Sequence, residues 1–277
     1  MMIHALDHIV LAVQDLDAAV TAYETLLGRQ CDGRDSDGGT ARAWFHLANL
    51  SLVVIAPTGT GPAGDWISAR LETAGEGLGA IAFAVADLDK ARGLAGRRGL
   101  PSAEPNPLRL PRDKSEASTA HAASLSTDAT HGVRVSLVER ATPSGQGPVA
   151  TDAAMSGLDH VVIRSPHPDR AVALYAGRLG LDLRLDRSNP DWGSRLLFFR
   201  CGDLVVEIVH DLKAGVSDGP DELWGLSWRA SGLDAAHARL AAAGIDVSAI
   251  RTGRRPGTRV FTIRDEAARV PTLVIGP

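Results

Sequence analysis

The segment LDHIVLAVQDLDAAVTAYETLLG, residues 6–28, returns 152 positions later as LDHVVIRSPHPDRAVALYAGRLG, residues 158–180. Leu6, Asp7, His8, Val10, Asp17, Ala19, Val20, Tyr23, Leu27 and Gly28 all meet identical residues in the second copy. Self-similarity at a fixed period means a structural unit used more than once, and it limits the chain to architectures built by repetition. A length of 277 residues gives each half room for its own core.

Each copy reads as strand, turn and helix. HIVLAV and HVVIRS are rich in β-branched residues. Leu16, Val20, Tyr23 and Leu27 follow at helical spacing and form one apolar face. Asp15 or Asp17 caps the first helix, and Pro168 with Asp169 is expected to start the second. Gly28 and Gly180 stop them, as the residue that best tolerates a left-handed conformation.

The remainder completes a β-α-β-β-β module. Residues 29–42 are polar and Gly-rich, reading as a weak strand and an exposed turn. AWFHLANL and SLVVIAP then form a hairpin turning at Ala48-Asn49, with a short amphipathic stretch at DWISARLETAG beyond it. GAIAFAVADLDKARGLAGRRG and GLSWRASGLDAAHARLAAAG open two further modules, aligning Leu88, Asp89, Ala91 and Gly99 with Leu233, Asp234, Ala236 and Gly244. Four modules therefore begin near residues 4, 76, 156 and 222. The second carries a Pro-rich, charged insert at 101–118, and the third closes with a hairpin at Gly202-Asp203. ATPSGQGPVATDAAMS, residues 141–156, is the linker, which predicts domains at 1–140 and 157–277.

Several function classes are excluded. The net charge is -4 with both signs dispersed, so there is no nucleic-acid partner and no anionic-membrane surface. No stretch spans a bilayer and the N-terminus has no secretory pattern, which places the chain in the cytoplasm. Cys31 and Cys201 do not align in the repeat and read as two inert thiols. Asn49-Leu50-Ser51 matches a glycosylation acceptor that has no meaning without secretion. No G-x-S-x-G elbow or H-E-x-x-H helix occurs.

Four β-α-β-β-β modules with an LDH strand start and a Tyr-bearing helix resemble the vicinal oxygen chelate superfamily. It includes glyoxalase I, extradiol dioxygenases, methylmalonyl-CoA epimerase and the bleomycin-resistance proteins. The resemblance implies an α+β fold of two glyoxalase-like domains, each with a U-shaped, mostly antiparallel eight-stranded sheet. It also implies a divalent metal held by the first and fourth strands of each module. At those positions the first half carries His8, Val53, Ala80 and Ser136, and the second carries His160, Glu207, Gly225 and Leu273. Neither set supplies the two-His-one-carboxylate site of an iron dioxygenase or four ligands.

His160 and Glu207 are therefore the expected metal ligands, with Glu207 also the catalytic candidate and His8 a weaker third. Glu207 lies in LVVEIVH, where alternation puts Val205, Glu207 and Val209 on one face. A carboxylate on that apolar face needs a metal, a cation or hydrogen-bond donors; an edge strand with Glu207 solvated is the plain alternative. His4, His46, His121, His131, His167, His210 and His237 lack grouping and read as loop or surface residues. Trp224 and Trp228 read as core, whereas Trp192 and Arg195, beside a turn, are candidate substrate contacts.

The resemblance implies a small-molecule ligand and either a divalent metal or no cofactor; a monomer or homodimer is expected. The leading expectation is a glyoxalase-like isomerase or lyase with its metal site in the C-terminal half. The competing one is a metal-free binding or sequestering protein of the bleomycin-resistance type. A third, a nucleotide-binding reductase, rests on GTGPAG at 59–64 and is weakened by Pro62 and by the module role of SLVVIAP.

Overall fold

The computed structural model describes residues 2–108, 120–140, 151–265 and 269–277. Residues 109–118 of the insert and 141–150 of the linker lie outside these. The first module runs β1 (Ile3–Ala12), α1 (Leu16–Leu27), β2 (Gly33–Asp37), β3 (Thr40–His46) and β4 (Ser51–Pro57). After α2 (Pro62–Ala74), the second module holds β5 (Gly77–Val85), α3 (Leu88–Arg97), β6 (Asn106–Leu108), β7 (Ala120–Ser124) and β8 (Arg134–Glu139). The third consists of β9 (Met155–Arg164), α4 (Pro168–Val172), β10 (Asp182–Asn189), β11 (Ser194–Cys201) and β12 (Leu204–Asp211). The fourth is β13 (Glu222–Ala230), α5 (Leu233–Ala242), β14 (Arg251–Thr252), β15 (Arg259–Ile263) and β16 (Thr272–Gly276).

The strands form two eight-stranded sheets, ordered β2-β3-β4-β1-β5-β8-β7-β6 and β10-β11-β12-β9-β13-β16-β15-β14. The two orders are the same pattern repeated, as the duplication requires. The chain also divides into two compact units, one of residues 1–8, 80–143 and 160–224, the other of 9–79, 144–159 and 225–277.

Local chemistry explains the ends of the helices. Asp15 caps α1 by accepting from the Ala18 N–H at 3.0 Å, and Gly28 closes it at φ 69° with its N–H on the Glu24 carbonyl. The second copy departs from the expected start: His167 is the cap, its Nδ1 accepting from the Arg170 N–H at 3.3 Å, and Pro168 takes the first helical position. The helix then loosens into a π-helical segment, Ala173–Arg178, a distortion frequent at functional sites. Tyr23 and Tyr175, the matched tyrosines, are both fully buried, and burial pushes each phenol well above its usual range.

The hairpins have the expected turns. Leu47 N–H donates to the Leu50 carbonyl around Ala48-Asn49, and Gly202 adopts φ 62° between β11 and β12. The Asn49 amide is taken up by Leu158, donating to its carbonyl at 2.8 Å and accepting from its N–H at 3.0 Å.

The connector after β4 differs from the short stretch expected. α2 has 13 residues and lies on the first module's sheet, where Ile67 packs with Ala12 and Ile55, flanked by Val10, Trp66 and Leu71. The glycines of GTGPAG serve this placement. Thr58 and Gly59 N–H groups donate to the Gly39 carbonyl, and the Gly64 N–H donates to the Gly38 carbonyl. A Cβ on Gly64 would sit 2.2 Å from the Gly59 carbonyl oxygen, and one on Gly39 2.6 Å from it. Two backbone turns thus touch where only glycine fits, which accounts for these glycines without a dinucleotide.

Candidate functional site

The third module presents the candidate site. In β12, Leu204, Val206, Ile208 and His210 are buried, while Val205, Glu207 and Val209 are partly open, so the strand's two faces separate as alternation demands. β12 pairs with β9 in parallel, His160 beside Val205 and Val162 beside Glu207. The imidazole and the carboxylate therefore stand diagonally on one face, with His160 Nε2 3.3 Å from Glu207 Oε2. Both side chains retain some solvent access, at 19% and 13%. Phe198 of β11 lies directly across from Glu207, and Leu185 of β10 across from Phe198. Val162, Val205, Val209 and Phe198 surround the pair on this face, with Arg200 across from Val205.

Strand registers fix the other family positions. Ser136 pairs with Ala82 and Arg134 with Ala80 in the second module; Leu273 pairs with Ser227 in the fourth. Ser136 and Leu273 are then the register equivalents of Glu207, and Val53, across from Trp44, is the equivalent in the first module. Carboxylates are absent from all three.

The donor chemistry of His160 and Glu207 suits a divalent metal, and two atoms bound to one ion at about 2.1 Å stand roughly 3–3.4 Å apart. The set is only two donors. Among the described residues, no three His, Cys, Asp or Glu side chains come together. A metal here would need substrate or water oxygens to complete its shell.

His8 sits in β1 and is buried at 8% exposure, its Nδ1 2.6 Å from Asp7 Oδ1. Asp7 is almost wholly buried, which opposes its charge; His8 and Arg140 overcome this and hold its carboxyl below the usual range. Trp192 ends a short 3-10 turn, Pro190–Trp192, and is 44% exposed with the Arg187 guanidinium 5.6 Å above its ring. Arg195 directs Nε and Nη2 to the two oxygens of Asp186, each at 2.8 Å, and Nη1 to Asp169 at 2.8 Å. It ties β10 and β11 to α4.

Two histidines expected at the surface are in the core. His46 Nδ1 meets Ser51 Oγ at 2.7 Å, and His210 Nδ1 meets the Ser165 carbonyl at 3.1 Å. In each, the partner satisfies Nδ1. Trp228 is fully buried as expected, whereas Trp224 is only partly so, with Arg164 Cζ 4.2 Å over its ring. Spacing did not reveal Arg164 or Arg187; the strand registers do.

Repeated β-α-β-β-β modules in two matching eight-stranded sheets, with an imidazole and a carboxylate on the first and fourth strands of one module, define a vicinal-oxygen-chelate protein. Residues 6–146 match the glyoxalase-like domain family and residues 159–262 the glyoxalase/bleomycin resistance protein/dioxygenase superfamily, and the chain belongs to this superfamily. The fold is shared with a Mn(II)-bound glyoxalase from Novosphingobium aromaticivorans, at 16% identity and TM-score 0.72, over 99% of this chain and 82% of that one. A variant of 4-hydroxymandelate synthase from Streptomyces coelicolor aligns at 14% identity and TM-score 0.74, over 100% and 93% of the two chains. No curated protein sequence matches significantly. No helix among the described residues is long and apolar enough to cross a membrane.

Proposed function

We propose that the chain binds a small carbonyl compound on the third module's open face and isomerises it, or carries out a related lyase step, as glyoxalase-type proteins do. The observation that carries this is the 3.3 Å contact of His160 Nε2 with Glu207 Oε2 on an apolar face. The equivalent region of the first module is filled by α2 through Ile67, which favours the C-terminal half as the working one. His160 and Glu207 would hold a divalent metal, whose chemistry is that of a Lewis acid polarising a carbonyl. Glu207 would take the proton from a hydroxyl-bearing carbon beside the carbonyl and deliver it to the carbonyl carbon, while the hydroxyl proton passes to the carbonyl oxygen, an isomerisation of an α-hydroxy carbonyl compound that consumes no co-reactant. His160 keeps the carboxylate in place. Ring cleavage is disfavoured because, among the described residues, no third His, Cys, Asp or Glu joins the pair. We further propose domains at 1–140 and 157–277 joined by 141–156, which the sheet orders support although the compact units cross those boundaries, in a cytoplasmic monomer or homodimer.

A second reading, a metal-free binding protein of the bleomycin-resistance type, is favoured by the absence of any three-donor cluster among the described residues. Metal analysis of protein purified without chelator or affinity tag separates the two. An isomerase of this kind takes up manganese, nickel, iron or zinc, and Glu207→Gln loses that uptake with an unchanged circular dichroism spectrum. Under a tenth of an equivalent in the wild type after metal addition, or full content in Glu207→Gln, removes the metal reading.

A further inference from the structure

The two copies of the strand-turn-helix unit differ at the start of the helix in a way that the isomerisation does not use. Between positions 152 residues apart, Asp15 becomes His167 and Ala18 becomes Arg170. Asp15 Oδ1 caps α1 by accepting from the Ala18 N–H at 3.0 Å, and His167 Nδ1 does the same for the Arg170 N–H at 3.3 Å. A carboxylate accepts throughout the neutral range, whereas an imidazole nitrogen accepts only while it carries no proton. The backbone N–H of His167 donates to Ser165 Oγ at 3.2 Å, and the Ser165 N–H donates to the Val209 carbonyl of β12 at 3.0 Å.

The residue whose amide is capped also ties down the segment 212–221, which runs from β12 to β13. Arg170 Nη2 donates to the Gly219 carbonyl at 2.7 Å and to Asp221 Oδ1 at 2.8 Å, and Nη1 donates to the Asp218 carbonyl at 3.3 Å. The Ser217 N–H on the Pro166 carbonyl, at 3.2 Å, and the Asp221 N–H on the His131 carbonyl, at 2.7 Å, complete the hold. Residues 212–218 are exposed, whereas the Asp221 side chain is wholly buried. The charged and titratable groups around this corner are Asp169, Arg170 and Arg178 on the helix, Asp218 and Asp221 on the segment, His131 before β8, and His210 on β12 with its Nδ1 3.1 Å from the Ser165 carbonyl. Burial first, and the Arg170 guanidinium next, hold the His131 imidazole below its ordinary range against the pull of Asp221.

We infer that Arg170, capped by His167, is a pH-operated latch that frees the segment 212–221 as the neighbouring imidazoles gain protons. Protonating His167 fills the lone pair that accepts from the Arg170 N–H. It also sets a cation at a helix N-terminus and beside a guanidinium, both unfavourable placements. The first turn then loosens and carries the guanidinium away from Asp218, Gly219 and Asp221. His131 acts in the same direction: its value is lowered in the closed corner, so its share of the hold is present at neutral pH and lost as pH falls. The first copy, capped by a carboxylate, has no such response over this range. The latch does not depend on what His160 and Glu207 bind.

Hydrogen–deuterium exchange of the full chain, read by mass spectrometry and corrected for intrinsic rates, tests this at pH about 5 and about 7.5, the span in which histidine changes charge. Wild-type amides of the segment 212–221 should lose roughly tenfold or more of their protection at the lower pH, while β12 keeps its own. His167→Asn leaves a good helix cap that does not titrate. Combined with His131→Asn, a residue that tolerates the left-handed conformation His131 adopts at φ 56°, it should cut the pH effect below about twofold. Arg170→Gln should leave the segment open at both pH values with β12 still protected. Equal protection of the wild type at both pH values, a pH effect that survives in the double variant, a segment that stays protected in Arg170→Gln, or β12 exchanging in step with the segment overturns the inference.

Discussion

Ile67→Ala tests the claim that the first module's sheet is filled from within. The Ile67 side chain is fully buried against Ala12 and Ile55. The substitution removes three carbons, worth about 2.4 kcal/mol at roughly 0.8 kcal/mol per buried methylene. The sheet beneath cannot collapse into the space, so a cavity term brings the total to about 3–4 kcal/mol, within the usual range for buried Ile→Ala. At roughly 2–4 °C per kcal/mol for a chain of this size, the melting temperature should fall by about 6–16 °C. Urea denaturation followed by tryptophan fluorescence measures the same loss, with the midpoint lowered and the slope unchanged. A loss under about 1 kcal/mol, the size expected for a surface site, would mean that α2 lies loosely on the strands and that the first half keeps an open face.

Other consequences are as direct. Burial, with Asp203 nearby, pushes the Cys201 thiol up to about 12, so iodoacetamide at pH 8 should modify Cys31 alone in the folded protein and both thiols in denaturant; equal rates would contradict the burial. The Arg195 fork holds the Asp186 carboxyl below its usual range. Its contribution is therefore present above the unfolded carboxylate pKa and lost as pH falls through the lower folded value. Asp186→Asn should thus cost about 0.5–1 kcal/mol at pH 7, in line with exposed ion pairs, and nothing near pH 2; a difference independent of pH would refute the pairing. Asn49→Ala strips both partners from the Leu158 backbone and should cost about 1–3 kcal/mol, read by thermal melting; a neutral result would show that water replaces the amide there.

The parts of this structure that periodicity governs were legible in the chain. The LDH repeat, the alternation through Val205, Glu207 and Val209, and the glycine stops at Gly28 and Gly180 each reflect one local rule. What escaped depends on partners distant in sequence. His46 and His210 read as surface residues because nothing in their spacing announces Ser51 or the Ser165 carbonyl. α2 read as a short stretch because Pro-Ala-Gly is a poor helical opening by propensity. Pro62 is nevertheless at home in the first turn, and the rest is held by packing on Ile55. The insert at 101–118 concealed β6, three residues that pair with β7 across the undescribed segment. The π-helical turn had no signal, since residues 168–180 align with 16–28 without an insertion. His160 and Glu207 were visible as residue types on suitable strands, whereas Arg187 and Arg164 emerged only when β10 and β9 were placed in one register.

The helix across the first module also bears on why the two copies diverged. Val53 stands where the later copy has Glu207, and Val53 is 3% exposed. An acid at that position would be stranded without water, at a cost of several kcal/mol unless something neutralised it. Once the connector had folded inward, selection against buried charge would itself have removed the carboxylate. On this reading, restoring an acid at residue 53 would require displacing the helix before mutating the strand.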